Sequence, residues 1–416
     1  MKKNNIPSAE TIQRIAGCIP TPFHLYDEAI LIARARALNE AFSWNEGFRE
    51  YFAVKATPNP YILEVLKREG CGVDCSSLTE LQLAHAVGFR GDEIMFSSNE
   101  TPAEDYEFAR ALDVIINLDD ISHIDFLKNH GGIPKRICLR YNPGGDAVIG
   151  NYVMGRPSEA KYGMTRDQIF EATKRLMALG VKSFGLHAFL VSNATDNAYY
   201  PTLSRILMQL ALDVNEETGA RFDMINLSGG VGIPYHPDEK EVDIANVGEG
   251  VRLAYDELIA GSKLESLSIA AELGRYIAGP AGCLVTRAVH RKDTHKQYIG
   301  VDATACDLMR PAMYNAYHHI TVLGKENAPC DKIYDVVGSL CENNDKFAID
   351  RELPAIEGGD LLVLHDTGAH GRSMGYNYNG KLRSAEVLLR QNGKFELIRR
   401  AETPADYFAT LSYPGL

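Results

Sequence analysis

Eight short apolar runs, each followed by a helical pattern, are the feature that most limits what this chain can fold into. The runs are rich in β-branched and aromatic residues and are bounded by turn residues, which predicts strands. They lie at residues 51–56, 72–76, 93–97, 113–118, 136–141, 184–190, 224–228 and 267–273. A strand followed by a helix, repeated eight times, predicts a parallel (β/α)8 barrel. Among the helices, residues 166–179 place Ile169, Ala172, Leu176 and Leu179 on one face, and Gly180 follows as a C-terminal cap.

Polar residues and glycines stand where the predicted strands end. In a barrel of this kind the carboxyl ends of all strands open on one face, where active sites are built. A lysine, an arginine and a glutamate on one rim are more than the capping of strands requires. The residues at these ends are Lys55, Asp74, Ser97, Ser98, Arg140, Asn142, His187, Gly229, Gly230 and Glu272.

Beyond Arg275 the pattern changes to short alternating runs, at residues 284–290, 297–303, 320–323, 333–340, 360–365, 381–389 and 394–400. Such alternation predicts an antiparallel β domain, a barrel or a sandwich. The run 22–26 precedes the barrel and is expected to pair with that domain. We therefore expect a barrel at residues 28–275 and a β domain formed by residues 1–27 and 276–416.

Composition limits the partners and the compartment. The 416 residues carry 43 basic and 55 acidic side chains, a net charge of −12, without a basic stripe, so no nucleic acid is expected as a partner. Apolar runs fall short of the roughly 18 residues of a membrane span, and the opening segment lacks the apolar core of a signal peptide. The eight cysteines are scattered without zinc-like spacing, so we expect reduced thiols in a cytoplasm and no metal site.

Lys55 ends the apolar run Tyr-Phe-Ala-Val-Lys of the first predicted barrel strand. Burial among apolar neighbours penalises the charged ammonium, so we expect a lowered pKa and a free amine able to form a Schiff base with a carbonyl compound. From the residues alone, the alternative is an ordinary lysine whose stem covers apolar surface while its amine stays in water.

Two further motifs fit a phosphorylated aromatic cofactor. The run 227–232, Leu-Ser-Gly-Gly-Val-Gly, follows a barrel strand, and its glycines allow backbone N–H groups to approach a phosphate. Glu272 and Arg275, after the last barrel strand, add a carboxylate and a cation. A carboxylate beside a pyridine nitrogen favours the pyridinium form, which makes pyridoxal phosphate an electron sink.

Seven motifs occur in order and carry a family resemblance. They are Tyr51-Phe-Ala-Val-Lys55-Ala, Gly72-Val-Asp74-Cys, Gly185-Leu-His187, Gly229-Gly230, Glu272-Leu-Gly-Arg275, Arg310-Pro-Ala-Met-Tyr314 and Cys341-Glu342-Asn-Asn-Asp345. Over nearly the whole chain they resemble the diaminopimelate decarboxylases, within the ornithine, diaminopimelate and arginine decarboxylase family. The resemblance implies pyridoxal 5′-phosphate as cofactor, an alanine-racemase-like barrel with a β domain, and decarboxylation of meso-2,6-diaminopimelate to L-lysine and CO2, as in lysine biosynthesis.

The same resemblance implies a set of site residues. Lys55 would carry the cofactor, and Glu272 would meet its pyridine nitrogen. Family members are homodimers with shared active sites, so Cys341 would enter from the partner subunit near the carbon that is reprotonated, and Glu342 would bind the substrate's distal ammonium. Arg275 and His370 are also expected to contact the substrate. The phosphate would be held by Ser192, Gly230, Gly274 and Arg275, and the rest of the cofactor site would include Asp74, Arg140, His187, Phe189 and His370.

Arg310 and Tyr314 bear on the choice of substrate. Their spacing puts both side chains on one face if Pro311 opens a helix, where together they would grip a distal carboxylate. A guanidinium pairs with a carboxylate at two points, which favours a substrate charged at both ends over ornithine or lysine. A structural salt bridge of Arg310 is the alternative. His318 and His319 are expected in a helix, and neither is given a role.

Several positions depart from the family pattern. The usual His-x-His-Ile-Gly-Ser segment reads His-Ala-Phe-Leu-Val-Ser here, so Phe189 takes the place of a ring-stacking histidine. A phenyl ring stacks but donates no hydrogen bond. His370 replaces a tyrosine and is able to donate the same bond, while Leu273 and Cys306 replace a proline and an asparagine. Phe189 and His370 leave open a decarboxylase of another diamino acid (ornithine, lysine or a D-enantiomer). Two further alternatives are a catalytically silent pyridoxal-phosphate-binding homologue and a Schiff-base aldolase without the vitamin cofactor.

Overall fold

The computed structural model describes residues 3, 5–145 and 156–415, so the parts of the predicted domains at residues 1, 2, 4, 146–155 and 416 lie outside the described residues. The strands are β1 (Phe23–Asp27), β2 (Arg49–Ala53), β3 (Gly72–Cys75), β4 (Ile94–Ser97), β5 (Ile115–Leu118), β6 (Arg136–Arg140), β7 (Ser183–His187), β8 (Phe222–Asn226), β9 (Ser268–Ala271), β10 (Gly282–Asp293), β11 (Gln297–Val301), β12 (Ile320–Val322), β13 (Lys332–Val337), β14 (Lys346–Leu353), β15 (Leu361–Leu364), β16 (Ala385–Leu389) and β17 (Phe395–Arg399). The α-helices are α1 (Ala9–Ala16), α2 (Glu28–Ala41), α3 (Pro60–Arg68), α4 (Leu78–Val87), α5 (Ala103–Ala111), α6 (His123–His130), α7 (Arg166–Ala178), α8 (Tyr199–Thr218), α9 (Ile244–Leu258), α10 (Gly274–Ala278), α11 (Arg310–Tyr314) and α12 (Pro404–Phe408).

The chain divides into two compact units. The barrel unit consists of Ile32–Ile233 and Glu241–Tyr276. The β unit consists of Met1–Leu31, Pro234–Lys240 and Ile277–Leu416. The short segment Pro234–Lys240 therefore belongs with the β unit although it lies between barrel elements in the sequence.

Strands β2 to β9 close a barrel in chain order, and every neighbouring pair is parallel. Alternate positions on the strands point inward, so side chains rather than a pore fill the barrel. This arrangement, with a separate sheet in the β unit, confirms the predicted (β/α)8 barrel followed by a β domain. The buried interior cluster is Tyr51, Met95, Ile115, Cys138, Met224 and Ala270.

Helix α7 shows how the sequence sets an outer helix. It begins after Thr165, whose side chain accepts a hydrogen bond from Gln168 N. The Gln168 side chain in turn accepts a hydrogen bond from Thr165 N. Ile169, Ala172 and Leu176 are buried as predicted, and each large apolar side chain removed from water contributes about 1.5–3 kcal/mol. The prediction that Leu179 lies on the buried face is wrong, because Leu179 is the C-cap residue of the helix and is 37% exposed.

The β unit contains one mixed sheet in the order β14-β13-β11-β10-β1-β16-β17, with β15 pairing with β10 and β12. As predicted, the early strand β1 belongs to it, antiparallel to β10 and parallel to β16. The pair β11 and β13 is also parallel, so the sheet is not purely antiparallel. Ile12 and Ile15 of α1 pack on a buried cluster that includes Phe23, Leu25 and Val363.

Strand β14 is absent from the predicted runs. It pairs antiparallel with β13, but Asp350 has a positive φ of 47° and the register shifts there. The irregularity breaks the period-two alternation on which a strand prediction relies. Within the described part of the chain, no helix is both long and apolar enough to cross a membrane.

Candidate functional site

The polar residues predicted at the barrel rim come together in the barrel unit. Lys55 lies in a single 3-10 turn, Val54–Ala56, directly after β2, rather than at the end of the strand itself. Its Nζ is 3.4 Å from Oδ2 of Asp74, which is fully buried at the carboxyl half of β3. The Lys55 side chain is 46% exposed. The amine therefore lies at the open mouth of the barrel, above a buried acid.

The charge of Lys55 differs from the expectation drawn from its apolar neighbours. Burial acts to lower its pKa, but the carboxylates of Asp74 and Glu272 more than offset burial and raise the pKa of Lys55. The expected lowering of the pKa is therefore wrong, because the acids that stabilise the ammonium come from other strands. Lys55 is an ammonium at neutral pH and has to lose a proton before it acts as a nucleophile.

Glu272 is a buried carboxylate held by three donors. Asn226 Nδ2 donates to Oε1 at 2.8 Å, and Ser228 Oγ donates to Oε2 at 2.9 Å. His187 Nε2 is 3.5 Å from Oε2. The main chain adds support, because Glu272 N donates to Ser228 O at 2.8 Å. Register explains the cluster: β8 lies between β7 and β9, so the ends of the three strands meet.

The donors determine the charge of this cluster. Burial alone would raise the pKa of Glu272, but His187, Lys55 and the Ser228 hydroxyl more than offset it and lower the pKa. Burial lowers the pKa of His187, so its ring is neutral at pH 7 and donates through Nε2–H. By contrast, burial and the nearby Glu272 charge raise the pKa of Asp74. The site thus keeps one acid, Glu272, reliably anionic.

A second cluster contains the residues expected to hold a phosphate. Arg275 donates to Ser192 Oγ at 3.2 Å, which places a cation and a hydroxyl side by side. Gly230 has a φ of +120°, and a Cβ there would stand 2.5 Å from Tyr199 Cε1 and 2.9 Å from Val191 O. Only glycine fits this position. At Gly274 a Cβ would stand 2.7 Å from Ala56 Cβ, which brings the start of α10 against the turn of Lys55.

Arg140 and Phe189 flank the barrel mouth. The Arg140 guanidinium donates to Asn99 Oδ1 at 2.8 Å and to Asp119 Oδ1 at 3.2 Å, and it lies 4.0 Å over the Tyr162 ring. The Phe189 ring lies beside Gly229, since a Cβ on that glycine would be 3.6 Å from Phe189 Cε2. The predicted cofactor-site residues of the barrel are thus gathered at one rim.

Arg310 is buried in the β unit, at the start of α11. Its NH1 is 2.8 Å from His318 Nε2, and its guanidinium lies 4.5 Å over the Tyr235 ring. His318 Nδ1 is 2.8 Å from His365 O, so Nδ1 carries the proton and Nε2 accepts from Arg310. His318 lies in an extended segment and not in the expected helix. Tyr314 ends the same helix as Arg310, with Pro311 in its first turn as expected.

Cys341 and Glu342 are exposed on residues 338–345 of the β unit, here called the Cys341 loop. Asp345 fixes this loop, because its Oδ1 accepts from Ala305 N at 2.7 Å and its Oδ2 accepts from Leu340 N at 2.8 Å. Cys341 N donates to Asn379 Oδ1 at 2.7 Å. His370 lies elsewhere in the β unit, at a positive φ of 55°.

Comparison with known proteins decides the family. The model of the pyridoxal-dependent decarboxylase, pyridoxal binding domain, matches residues 29–279. The chain belongs to the pyridoxal-dependent decarboxylases. Protein TabA of Pseudomonas amygdali pv. tabaci is 37% identical over 402 residues, covering 97% of this chain and 94% of that protein. The diaminopimelate decarboxylase of Methanothermobacter thermautotrophicus is 34% identical over 397 residues, covering 95% and 92%.

Solved structures agree with this assignment. The crystal structure of a diaminopimelate decarboxylase from M. jannaschii in complex with L-lysine matches with a TM-score of 0.88 at 30% identity, over 96% of this chain and 94% of that one. A lysine decarboxylase from Selenomonas ruminantium, at 21% identity and a TM-score of 0.80, shares the fold. The resemblance drawn from the seven motifs is confirmed, and pyridoxal phosphate is the cofactor, as the pyridoxal-binding family and a structural neighbour solved with pyridoxal phosphate support.

The residues of the barrel mouth fit this cofactor. The cofactor's aldehyde requires an amine, its pyridine nitrogen a buried anion, and its phosphate a cluster of cationic and small residues, and the barrel mouth contains all three. The backbone also fits, because Gly230 lets the loop approach Tyr199 and Val191 more closely than any residue with a Cβ would allow, one residue from Ser192. The His187 ring is held by Glu272, and its Nδ1 has no hydrogen-bond partner within the described residues.

Four residues of these clusters were missed from the sequence: Asn226, Ser228, His318 and Glu50. Glu50 Oε1 accepts from Leu273 N at 2.6 Å, directly after Glu272, and burial raises the pKa of Glu50 well above its usual value. Ser228 has a positive φ of 56°, which an expected strand end does not suggest. Asn226 ends a barrel strand, so its position alone could have identified it.

Proposed function

We propose that this chain decarboxylates meso-2,6-diaminopimelate to L-lysine and CO2 with pyridoxal phosphate. It acts as a homodimer in the cytoplasm. The substrate follows the names of relatives such as the enzymes of M. thermautotrophicus and M. jannaschii. The dimer follows the family resemblance, and the cytoplasm fits the eight cysteines, which are all unpaired in the described chain.

In this proposal the residues of the barrel mouth bind the cofactor. Lys55 holds it covalently, Glu272 meets the ring nitrogen, and Phe189 stacks on the ring. Ser192, Gly230, Gly274 and Arg275 bind the phosphate. Bound pyridoxal phosphate supplies an electron sink for the pair of electrons that remains when the substrate's carboxylate leaves as CO2.

The residues of the β unit bind the substrate's far end and return a proton. Arg310 and Tyr314 bind the distal carboxylate. Cys341 and Glu342 enter from the partner subunit, where Cys341 donates a proton to the α carbon and Glu342 pairs with the distal ammonium. One proton is consumed for each CO2 released. Cys341 then recovers its proton from solvent.

The observation that carries the proposal most directly is the anionic Glu272. Three donors fix its carboxylate, and His187, Lys55 and the Ser228 hydroxyl lower its pKa despite its burial. A buried anion is costly unless a cationic group faces it. A protonated ring nitrogen meets that requirement, and Lys55 supplies the amine at the same rim.

A small substrate panel tests the choice of diamino acid. CO2 release is measured with diaminopimelate, ornithine, L-lysine and D-lysine for the wild type and for Arg310→Gln. Loss of a two-point ion pair is expected to raise KM for diaminopimelate about 100-fold, since each hydrogen bond to a charged group contributes about 1.5–3 kcal/mol. Ornithine, which has no distal carboxylate, should be unaffected.

Arg291→Gln is the matched control, because Arg291 is exposed on β10 and pairs with Asp293. It should leave every rate unchanged. Faster turnover of ornithine than of diaminopimelate, together with an unchanged diaminopimelate rate in Arg310→Gln, would show that the enzyme acts on another diamino acid. The replacements at Phe189 and His370 are the features that favour this alternative. Pyridoxal-loaded protein that releases no CO2 from any of these compounds would instead indicate a silent homologue.

A further inference from the structure

A cavity in the β unit lies beside α11 and the Cys341 loop but is lined by none of the residues assigned above to cofactor or substrate. Its volume is about 510 Å³, and it is lined by residues of α11, the segment that follows α11, the Cys341 loop and β14. Small-molecule sites commonly have volumes of about 300–1,000 Å³. We call it the Arg351 pocket. The polar lining residues used below are Asn315, Tyr317, Asn343, Asn344, Lys346 and Arg351.

The lining of the Arg351 pocket favours negative charge. Within the described residues, neither aspartate nor glutamate lines it, whereas Lys346 and Arg351 do. The Lys346 amine is itself 3.4 Å from Oδ2 of the buried Asp335, so Arg351 is the cation on which the argument rests. Three carboxamides, of Asn315, Asn343 and Asn344, add neutral hydrogen-bond donors. Because the chain as a whole carries a net charge of −12, a pocket whose described lining includes an arginine and no acid is a local exception to the surface charge.

Arg351 is the central cation of the pocket. Its guanidinium lies 4.0 Å over the Tyr317 ring, and the Tyr317 ring in turn stacks on His236 at 3.6 Å. NH1 donates to His318 O at 3.0 Å. Within the described chain no carboxylate forms an ion pair with Arg351, and burial lowers its pKa. The guanidinium is thus held flat, partly desolvated, with donors left for a ligand.

The pocket is linked to the residues proposed to bind substrate. His318 accepts from Arg351 through its backbone oxygen and from Arg310 through its ring nitrogen. Pro311 and Ala312, which line the pocket, follow Arg310 in α11. On the other side, Asn343 and Asn344 follow Glu342 in the Cys341 loop. A ligand that moves Arg351, α11 or the Cys341 loop therefore affects the positions of Arg310 and Glu342.

We propose that the Arg351 pocket binds a small oxyanion, a carboxylate or a phosphate, on the Arg351 guanidinium and the neighbouring carboxamides. Its occupancy changes the affinity for substrate through His318 and α11, a consequence that rests on the proposed function. The pocket lacks an acid to pair with an ammonium, so it discriminates against the cationic product L-lysine. The fitting ligand is a dicarboxylate or a phosphorylated metabolite of small size.

Calorimetric titration of the holoenzyme with succinate, with inorganic phosphate and with L-lysine tests the site. Arg351→Gln should weaken succinate or phosphate binding at least about tenfold, the loss expected when a charge-assisted hydrogen bond is removed. The control Arg291→Gln should bind as the wild type does. L-Lysine binding should not depend on Arg351. Succinate and phosphate distinguish a planar from a tetrahedral ligand.

Asn343→Asp provides a second variant that leaves Arg351 in place, should Arg351→Gln fail to fold. Asn343 is exposed, and an added carboxylate there should repel the anion and weaken binding in the same direction. The effect on substrate is read as KM, because the link runs to Arg310. Saturating succinate should change KM for diaminopimelate several-fold in the wild type and not in Arg351→Gln, with kcat unchanged.

The possible outcomes separate the claims. If neither anion shows saturable binding, or if both variants bind as the wild type does, the site is refuted; a partner subunit that covers the pocket would give this result. Binding that depends on Arg351 without any change in KM refutes the link to substrate. Binding that depends on Arg351 in a protein that decarboxylates none of the diamino acids supports the site and refutes only the proposed function.

Discussion

Replacement of Asn226 by leucine tests the Glu272 cluster directly. Asn226 Nδ2 donates to Glu272 Oε1 at 2.8 Å, and Asn226 Oδ1 accepts from Ser228 N at 2.7 Å. Leucine has the same branched shape and a somewhat larger volume but offers neither group, so Asn226→Leu removes the contacts without opening a cavity. The variant leaves the Glu272 carboxylate with Ser228 and His187 as its donors.

The size of the effect follows from the bond that is lost. A hydrogen bond to a charged group contributes about 1.5–3 kcal/mol, and one pKa unit corresponds to about 1.4 kcal/mol, so the pKa of Glu272 should rise by roughly one to two units. In the wild type the pKa of Glu272 is held low. Its contribution to stability is therefore present above the pKa of an unfolded glutamate and is lost as the pH falls through the folded value. In Asn226→Leu the folded pKa lies closer to that of an unfolded glutamate, so this contribution is smaller and its loss is complete at a higher pH.

The assay is CO2 release as a function of pH, with thermal unfolding measured in the same buffers. The acid limb of kcat should move upward by the same one to two units, roughly, in Asn226→Leu, because the anionic Glu272 is lost earlier. Asn215→Leu is the control, since Asn215 Nδ2 donates at the same distance of 2.8 Å to a neutral backbone oxygen, Ala220 O. An unmoved acid limb in Asn226→Leu, or an equal shift in Asn215→Leu, would refute the reasoning.

Two other predictions follow from the same region. Gly230→Ala should lose at least about tenfold in affinity for pyridoxal phosphate, measured by absorbance titration, because its Cβ would collide with Tyr199 beside the phosphate cluster. Gly180→Ala is the control, because Gly180 has a φ of +98° in open space and its replacement should cost only stability, roughly 1–2 kcal/mol. Equal pyridoxal phosphate affinities of the two variants would contradict the placement of the phosphate at Gly230. Glu50→Gln should stabilise the protein at alkaline pH while changing little near pH 5. Burial raises the pKa of Glu50 in the folded protein, so the wild type loses stability as the pH rises from the pKa of an unfolded glutamate towards the pKa of the folded protein. Thermal unfolding at both pH values measures this, and the same pH dependence in wild type and variant would show that Glu50 is not a neutral acid in the fold.

The barrel strands were accessible from sequence because strands of a parallel barrel are covered on both faces and read as continuous apolar runs. Lys55, Asp74, His187 and Glu272 then followed from their place at strand ends. The charge state of Lys55 could not be derived from its own neighbours in sequence, because Asp74 and Glu272 approach it from other strands.

The supporting residues were hidden for a similar reason. Asn226 and Ser228 bind Glu272 only because β8 lies beside β9, and that register is a property of the closed barrel. His318 was expected to be a packing or surface residue of a helix. Its ring reaches Arg310 because the chain after α11 is not helical. Strand β14 was not predicted, because the backbone irregularity at Asp350 interrupts its alternation of inward and outward side chains.

Strand β1 has a consequence for how the protein is made. It pairs with β10 and β16, so one of the first strands to leave the ribosome meets β10 only after all the barrel strands have been made, and β16 only when translation is almost complete. The eight barrel strands come from one continuous stretch between these partners and are available to close earlier. Until then β1 keeps an unpaired edge, which makes the amino-terminal segment the part of the nascent chain most exposed to chaperones and to mispairing.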